Sequence, residues 1–93
     1  MQINDGLKDD YDKPDWTLLP IDSVIEVIRV LMFGESKYGR DAWKSLPDAR
    51  RRYLAAAFRH LAAYADGEIV DPESERPHIA HAACCLLFLL WFR

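Results

Sequence analysis

The feature that most constrains this chain is its C-terminal segment, residues 79–92, in which apolar side chains occupy nearly every position. These 14 residues fall short of the roughly 20 that a membrane-spanning helix needs. The segment therefore predicts a core or interface helix. Because a three-helix domain cannot cover every side of such a helix, we expect the chain to form a homo-oligomer through it.

Two earlier segments show the apolar spacing of amphipathic helices. The first is expected from residues 20–22 to about residue 38, where Gly39 is a natural stop. The second follows Pro47, with Ser45 as its expected N-cap, and runs to about residue 66, where Gly67 ends it. The acidic, proline-bounded stretch that follows is expected to be a loop.

The sequence thus predicts an all-α domain of three helices, or up to four, spanning residues 1–93. Residues 1–19 lack helical periodicity and are expected to form a polar, extended arm. Trp16, Leu18 and Leu19 are the expected anchors of this arm on the helices.

Charge and cysteine content narrow the function classes. The formal net charge is -3, which argues against a duplex nucleic acid as partner because such proteins usually carry a basic field. Cys84 and Cys85 are adjacent within an apolar run, which indicates buried thiols and a reducing compartment. The acidic N-terminus does not look like a signal peptide. A cytoplasmic protein without a membrane partner is the expectation.

Three histidines are candidates for catalysis or metal binding. His78 and His81 share one helix face, since they are three residues apart, and His60 lies on the preceding helix. Together they could ligate a transition metal, contact a ligand or transfer protons. Hydrogen bonding to carboxylates or backbone near a helix start is the plainer alternative.

The loop before the third helix carries the carboxylates Glu68, Asp71 and Glu73. Carboxylates at this spacing can hold magnesium or manganese together with substrate phosphates. The alternative is a solvated loop whose acidic residues favour the positive end of the following helix.

Cations and aromatic residues elsewhere match the needs of a nucleotide ligand, because arginine and lysine bind phosphates and aromatic rings can stack on a base. The candidate binding residues are Lys13, Trp16, Lys37, Tyr38, Arg40, Trp43, Arg52 and Arg59. Trp16 and Trp43 could instead be core anchors. The sequence contains neither a GxxxxGK[ST] loop nor a GxGxxG turn.

Several strings resemble the N-terminal domain of phage-encoded dATP/dGTP diphosphohydrolases, which lie near the MazG-like all-α nucleotide pyrophosphohydrolases. The strings are KPDWTLLP, VLMFGESKYGRDAW and RYLAAAFRHLAAYADGEIVDPESERPHIAHAACCLLFLL. The resemblance implies that a (d)NTP, with a purine favoured, is hydrolysed to the monophosphate and pyrophosphate with magnesium. It also implies a phage origin and action inside the infected bacterium.

The chain departs from the MazG-like pattern, in which helical glutamates hold magnesium. Its helices offer Arg59, His60, His78 and His81 at these places, and its one ExxD runs from Glu68 to Asp71. Either the acidic loop supplies the metal site, or the domain binds a nucleotide without cleaving it. In the second case it could act against host defence by sequestering a cyclic or ADP-ribose-type signal. A structural helical module is the third alternative.

Overall fold

A computed structural model of the chain describes residues 11–93, and these residues confirm the all-α class. The three helices are α1 (Ile21–Tyr38), α2 (Ala49–Ala65) and α3 (His78–Phe92). Short 3₁₀ turns precede α1 and α2, at Trp16–Leu18 and Ala42–Ser45. No helix in this part of the chain is long and apolar enough to cross a membrane.

The helix ends follow the local sequence. Pro20 precedes α1, and Gly39 ends that helix with a φ of 98°. Gly67 follows α2 with a φ of 100°, a conformation that glycine adopts far more easily than residues with a side chain. The expected N-cap was wrong: Ser45 ends a 3₁₀ turn, and Asp48 precedes α2 and pairs with Arg51.

The third helix is the central element of the domain. It packs mainly along α2 and less extensively against α1. The buried core joins Val30 of α1 to Ala80 and Cys84 of α3, with Phe88 packed against them. Since α1 and α2 both rest on α3 and contact each other little, the fold leaves a groove between them.

The acidic loop contains a small hairpin that the sequence did not predict. Strand β1 (Val70–Asp71) pairs antiparallel with β2 (Arg76–Pro77), and Asp71 lies opposite Arg76. The Asp71 carboxylate accepts hydrogen bonds from the Ser74 amide at 2.9 Å and the Ser74 hydroxyl at 2.8 Å. An aspartate that bonds its own turn in this way, followed by proline, favours a tight reversal of the chain.

Two ion pairs dock the hairpin turn on α1. Arg76 lies 3.4 Å from Glu26, and Lys37 pairs with Glu73. Together they fix the acidic segment alongside α1, through one residue in each half of that helix.

The expected anchoring of the N-terminal arm was wrong for Trp16 and Leu18. Trp16 and Leu18 are 73% and 81% exposed, so neither packs into the helices. The short 3₁₀ turn that holds them is stabilised locally, by the Asp15 carboxylate accepting hydrogen bonds from Thr17. The rest of the predicted arm, residues 1–10, lies outside the described residues.

Candidate functional site

The groove between α1 and α2 has α3 as its floor and a volume of about 820 Å³. Its walls are the C-terminal half of α1, the segment that joins α1 to α2, and the first three turns of α2. Asp71 and Glu73 of the hairpin turn also line it. A groove of this size suits a small-molecule ligand, for which sites of about 300–1,000 Å³ are usual.

Six of the eight residues predicted to bind a nucleotide line this groove. They are Lys37, Tyr38, Arg40, Trp43, Arg52 and Arg59. Lys13 and Trp16 do not line it. The structure therefore gathers cations from three separate segments of the chain around one opening.

The cations differ in how fully they are engaged. Lys37 pairs with Glu73, and this hydrogen bond raises the pKa of the Lys37 ammonium. Arg40 pairs with Glu35 at 2.6 Å. Arg59, by contrast, forms neither an ion pair nor a side-chain hydrogen bond with another residue of the described chain. Its guanidinium is the cation most available to an anionic ligand.

Trp43 lines the groove but is held in an aromatic cluster. Its ring stacks on Phe88 with centroids 4.2 Å apart and meets the edges of Trp91 and Phe92. The ring of Tyr53 also contacts that of Phe88, with centroids 4.9 Å apart. The cluster joins the segment before α2 to the end of α3. Trp43 therefore acts as a core anchor, which was the alternative to stacking on a base.

The three histidines meet at the hairpin end of the groove. His60 Nδ1 lies 2.8 Å from His78 Nδ1, and His78 Nε2 lies 2.6 Å from Glu68 Oε1. The rings of His60 and His81 stack with centroids 4.5 Å apart and an interplanar angle of 11°. His60 and His81 line the groove, whereas His78 is 5% exposed and lies behind them.

Hydrogen-bond chemistry sets the tautomers of the three histidine rings. Ser74 donates its one hydroxyl hydrogen to Asp71, so it accepts from His81 Nε2–H, at 2.6 Å. The Glu68 carboxylate accepts from His78 Nε2–H, which leaves His78 Nδ1 to accept from His60 Nδ1–H when both rings are neutral. His60 Nε2 and His81 Nδ1 are then left as unprotonated acceptors.

Burial favours the neutral form of two of these rings. It lowers the pKa of His60, and the neighbouring His81 and His78 lower it further. Burial also lowers the pKa of His81, against a smaller raising effect of Asp71. Burial alone would raise the pKa of Asp71, but hydrogen bonds from Ser74 outweigh it, and the pKa of that carboxyl is lowered.

The three candidate metal-binding carboxylates have three different partners. Glu68 binds His78, Asp71 binds Ser74, and Glu73 binds Lys37. Within residues 11–93, no group of three or more histidine, cysteine or carboxylate side chains is placed to hold a metal ion. The stacked rings of His60 and His81 are nearly parallel, and lone pairs in parallel planes do not converge on one ion.

Sequence reasoning missed Ser74, which joins Asp71 to His81. The signal that could have revealed it is the Asp-Pro-Glu-Ser string, typical of a turn in which an aspartate bonds the residue three positions later. It also missed Tyr53, whose contact with Phe88 depends on helix packing, and Glu35, which pairs with Arg40 five residues further along the chain.

Comparison with known proteins decides the family. The profile described as "dATP/dGTP diphosphohydrolase, N-terminal" matches residues 3–93. The chain belongs to this family. The resemblance noted from the sequence strings is thereby confirmed.

A curated relative in this family is the dATP/dGTP diphosphohydrolase of Salmonella phage PMBT28. It is 38% identical over 86 residues, which cover 92% of this chain and 29% of the relative. The chain therefore spans less than a third of the length of that relative. No solved structure matches the chain significantly.

Proposed function

We propose that the groove binds a purine (d)NTP and that the domain hydrolyses it, as a diphosphohydrolase, to a monophosphate and pyrophosphate. The family supports this reaction class, because the relative from Salmonella phage PMBT28 is named a dATP/dGTP diphosphohydrolase. The observation that carries the proposal is the gathering of four cations around one groove with histidines at its end.

The groove offers the two kinds of contact that a nucleotide requires. Arg59 has an unengaged guanidinium, and arginine can grip a phosphate with two parallel hydrogen bonds. Lys37 would add a second phosphate contact by exchanging its Glu73 partner. Tyr38 is 68% exposed at the groove, so its ring is accessible to a base in a way that the packed ring of Trp43 is not.

A metal requirement is implied by the resemblance, with magnesium or manganese as the ion. Glu68, Asp71 and Glu73 do not fit a preassembled magnesium cluster in this structure, since each is bound to a different side chain. Turnover in the presence of magnesium, manganese or a chelator therefore tests the metal requirement.

The test combines ligand binding with turnover. The full chain is incubated with each common (d)NTP, with magnesium, with manganese and with a chelator, and both pyrophosphate release and the melting temperature are recorded. We expect dATP or dGTP to raise the melting temperature and to be cleaved. Arg59→Gln should lose the thermal shift. Its matched control is Arg51→Gln, on the same helix but outside the groove lining.

Two results would contradict this proposal. One is the absence of pyrophosphate release from every (d)NTP under all three metal conditions. The other is an equal thermal shift in Arg59→Gln and Arg51→Gln, which would place the nucleotide elsewhere.

Binding without cleavage is a second candidate, favoured by the separate partners of the three carboxylates. In this case the domain would sequester a host signalling nucleotide of the cyclic or ADP-ribose type. The protein is mixed with such a ligand, separated from free ligand and heated. Recovery of intact ligand supports sequestration, whereas the absence of any thermal shift with these ligands rules it out.

We also propose self-association through α3. Leu90 and Trp91 are 61% and 52% exposed, and Leu86 and Leu87 are each 49% exposed. Exposed apolar residues in such number on one helix are typical of an interface. Light scattering should show an oligomer that Leu90→Glu dissociates, while Ile25→Glu on α1 leaves it intact. A monomeric wild-type chain would disprove this proposal.

A further inference from the structure

His60 is the one histidine that joins the groove to a buried hydrogen-bonded partner. Its Nδ1 lies 2.8 Å from Nδ1 of His78, and its ring lines the groove. Its Nε2 has no hydrogen-bond partner among residues 11–93. Because no buried side-chain nitrogen or oxygen in that range lacks a partner, Nε2 is reached by solvent.

His78, the partner of His60, is itself hydrogen-bonded to a carboxylate on its other ring nitrogen. The side chain of His78 is 6% exposed and donates through Nε2 to Glu68 Oε1 at 2.6 Å, whereas the Glu68 side chain is 55% exposed. A line of two hydrogen bonds therefore runs from a solvated carboxylate, through a buried imidazole, to an imidazole in the groove. In many enzymes a nucleophile is activated by a general base whose ring is oriented by a third group.

We propose that His60 Nε2 accepts the proton of the attacking water, and that Glu68 and His78 are positioning residues that keep this nitrogen unprotonated. The proposal rests on the proposed pyrophosphohydrolase function. Glu68 thereby acts on a histidine, and His78 acts through His60 and touches no substrate.

The water oxygen bonds to the α-phosphorus while one of its protons moves to His60 Nε2. The bond between the α-phosphorus and the oxygen bridging to the β-phosphorus breaks, and its electron pair leaves with pyrophosphate. The imidazolium formed on His60 donates from Nδ1 to His78, whose Nε2–H faces the negative charge of Glu68.

His81 is the competing base, since its Nδ1 is also unpaired and its ring also lines the groove. Its Nε2 is bonded to the neutral Ser74 hydroxyl, and the Asp71 carboxylate is farther away, at 3.5 Å. His60 also directly follows Arg59, the unengaged cation of the groove. These contacts favour His60, and a His81→Gln variant compares the two rings directly.

The kinetic test uses full-length variants and the (d)NTP that the wild-type chain cleaves best. We expect His60→Gln to lower kcat by about a hundredfold or more, as for the loss of a general base. Glu68→Gln, which keeps the shape but removes the charge, should lower kcat at least about tenfold with KM within about twofold. The matched control is Glu75→Gln, on the turn between β1 and β2 and without a side-chain partner in the described chain, which should leave kcat unchanged.

A second readout does not depend on turnover. Nitrogen-15 NMR of the wild-type chain, with His60 assigned by its disappearance in His60→Gln, reports which ring nitrogen carries the proton. We expect His60 to carry it on Nδ1 in the wild type and in Glu75→Gln. In Glu68→Gln the preference for Nδ1 should be reduced.

Each contrary outcome overturns a distinct statement. Turnover by the wild type together with an unchanged kcat in Glu68→Gln disproves the positioning role of Glu68. A His60 ring protonated on Nε2 at rest, or a larger loss of kcat in His81→Gln than in His60→Gln, disproves His60 as the base. A wild-type chain without turnover disproves the proposed function itself, and the role of His60 falls with it.

Discussion

The Nδ1 atoms of His60 and His78 lie 2.8 Å apart across the contact between α2 and α3. Two nitrogens at this distance share a single proton, because a proton on each would place two hydrogens between them. The contact therefore excludes one combination of charges, the doubly protonated pair, while it joins two helices. Packing and protonation are therefore coupled at this point.

The first prediction concerns stability in mild acid. The pKa values of His60 and His81 are lowered in the folded chain, below the ordinary value of 6.5. The unfolded chain therefore binds more protons than the folded chain below about pH 6.5, and stability is lost as the pH falls from there towards the folded pKa values. The slope should not exceed about 1.4 kcal/mol per pH unit for each ring.

Urea unfolding between pH 7.5 and 5 measures this effect. The groups facing His60 from neighbouring elements are His78, His81 and Asp71, with Arg59 beside it. The lowered pKa of Asp71 does not interfere, because its contribution is lost only around and below the ordinary carboxyl value of 3.8. The double variant His60→Gln/His81→Gln should show a flatter profile, and an unchanged slope in that variant would contradict the prediction.

The second prediction concerns the cysteines. Burial raises the pKa of Cys84 to about 12 and also raises that of Cys85. Because the thiolate is the reactive form, a disulfide reagent at pH 8 should label the native chain at least about a hundredfold more slowly than a free thiol. Both cysteines should react rapidly in urea. Rapid labelling of the native chain would show that the α3 floor of the groove is more open than the structure has it.

The third prediction concerns the contributions of Trp43 and Trp16 to stability, which the sequence alone did not distinguish. Trp43 packs against Phe88 and Trp91, whereas Trp16 is 73% exposed. Trp43→Ala should therefore lower the free energy of unfolding by at least about 2 kcal/mol. Trp16→Ala should change it by no more than about 0.5 kcal/mol. Equal effects of the two substitutions in chemical denaturation would refute the anchoring role of Trp43.

The fourth prediction concerns the small residues on α2. Ala57 is 2% exposed, so a larger side chain there must displace its neighbours. Ala57→Leu should destabilise the domain by about 1–3 kcal/mol. Ala62→Leu, at an exposed position of the same helix, makes the same chemical change and should be nearly neutral. Similar melting temperatures for the two variants would mean that α2 is not packed as observed.

Local chemistry was enough to predict the helices. Gly39 ends α1 with its positive φ, and Pro20 lies just before its start. These features act within a few residues, so they can be read from the sequence without knowledge of the fold. The hairpin could not be read in this way. Its strands are two residues each, too short for any periodicity, and they depend on the bond from the His78 amide to the Ile69 carbonyl and on docking to α1.

The candidate site, like the fold, could be predicted from the sequence only in part. Residue type alone singled out Arg59 and the three histidines as candidates, since few side chains bind phosphate or carry protons near neutral pH. Which candidates meet was decided by the packing of α1 and α2 on α3, which opened a groove to Arg59 and left Trp16 outside it. The pairing of Glu68 with His78, rather than with a metal cluster, likewise depends on contacts between elements that sequence spacing does not specify.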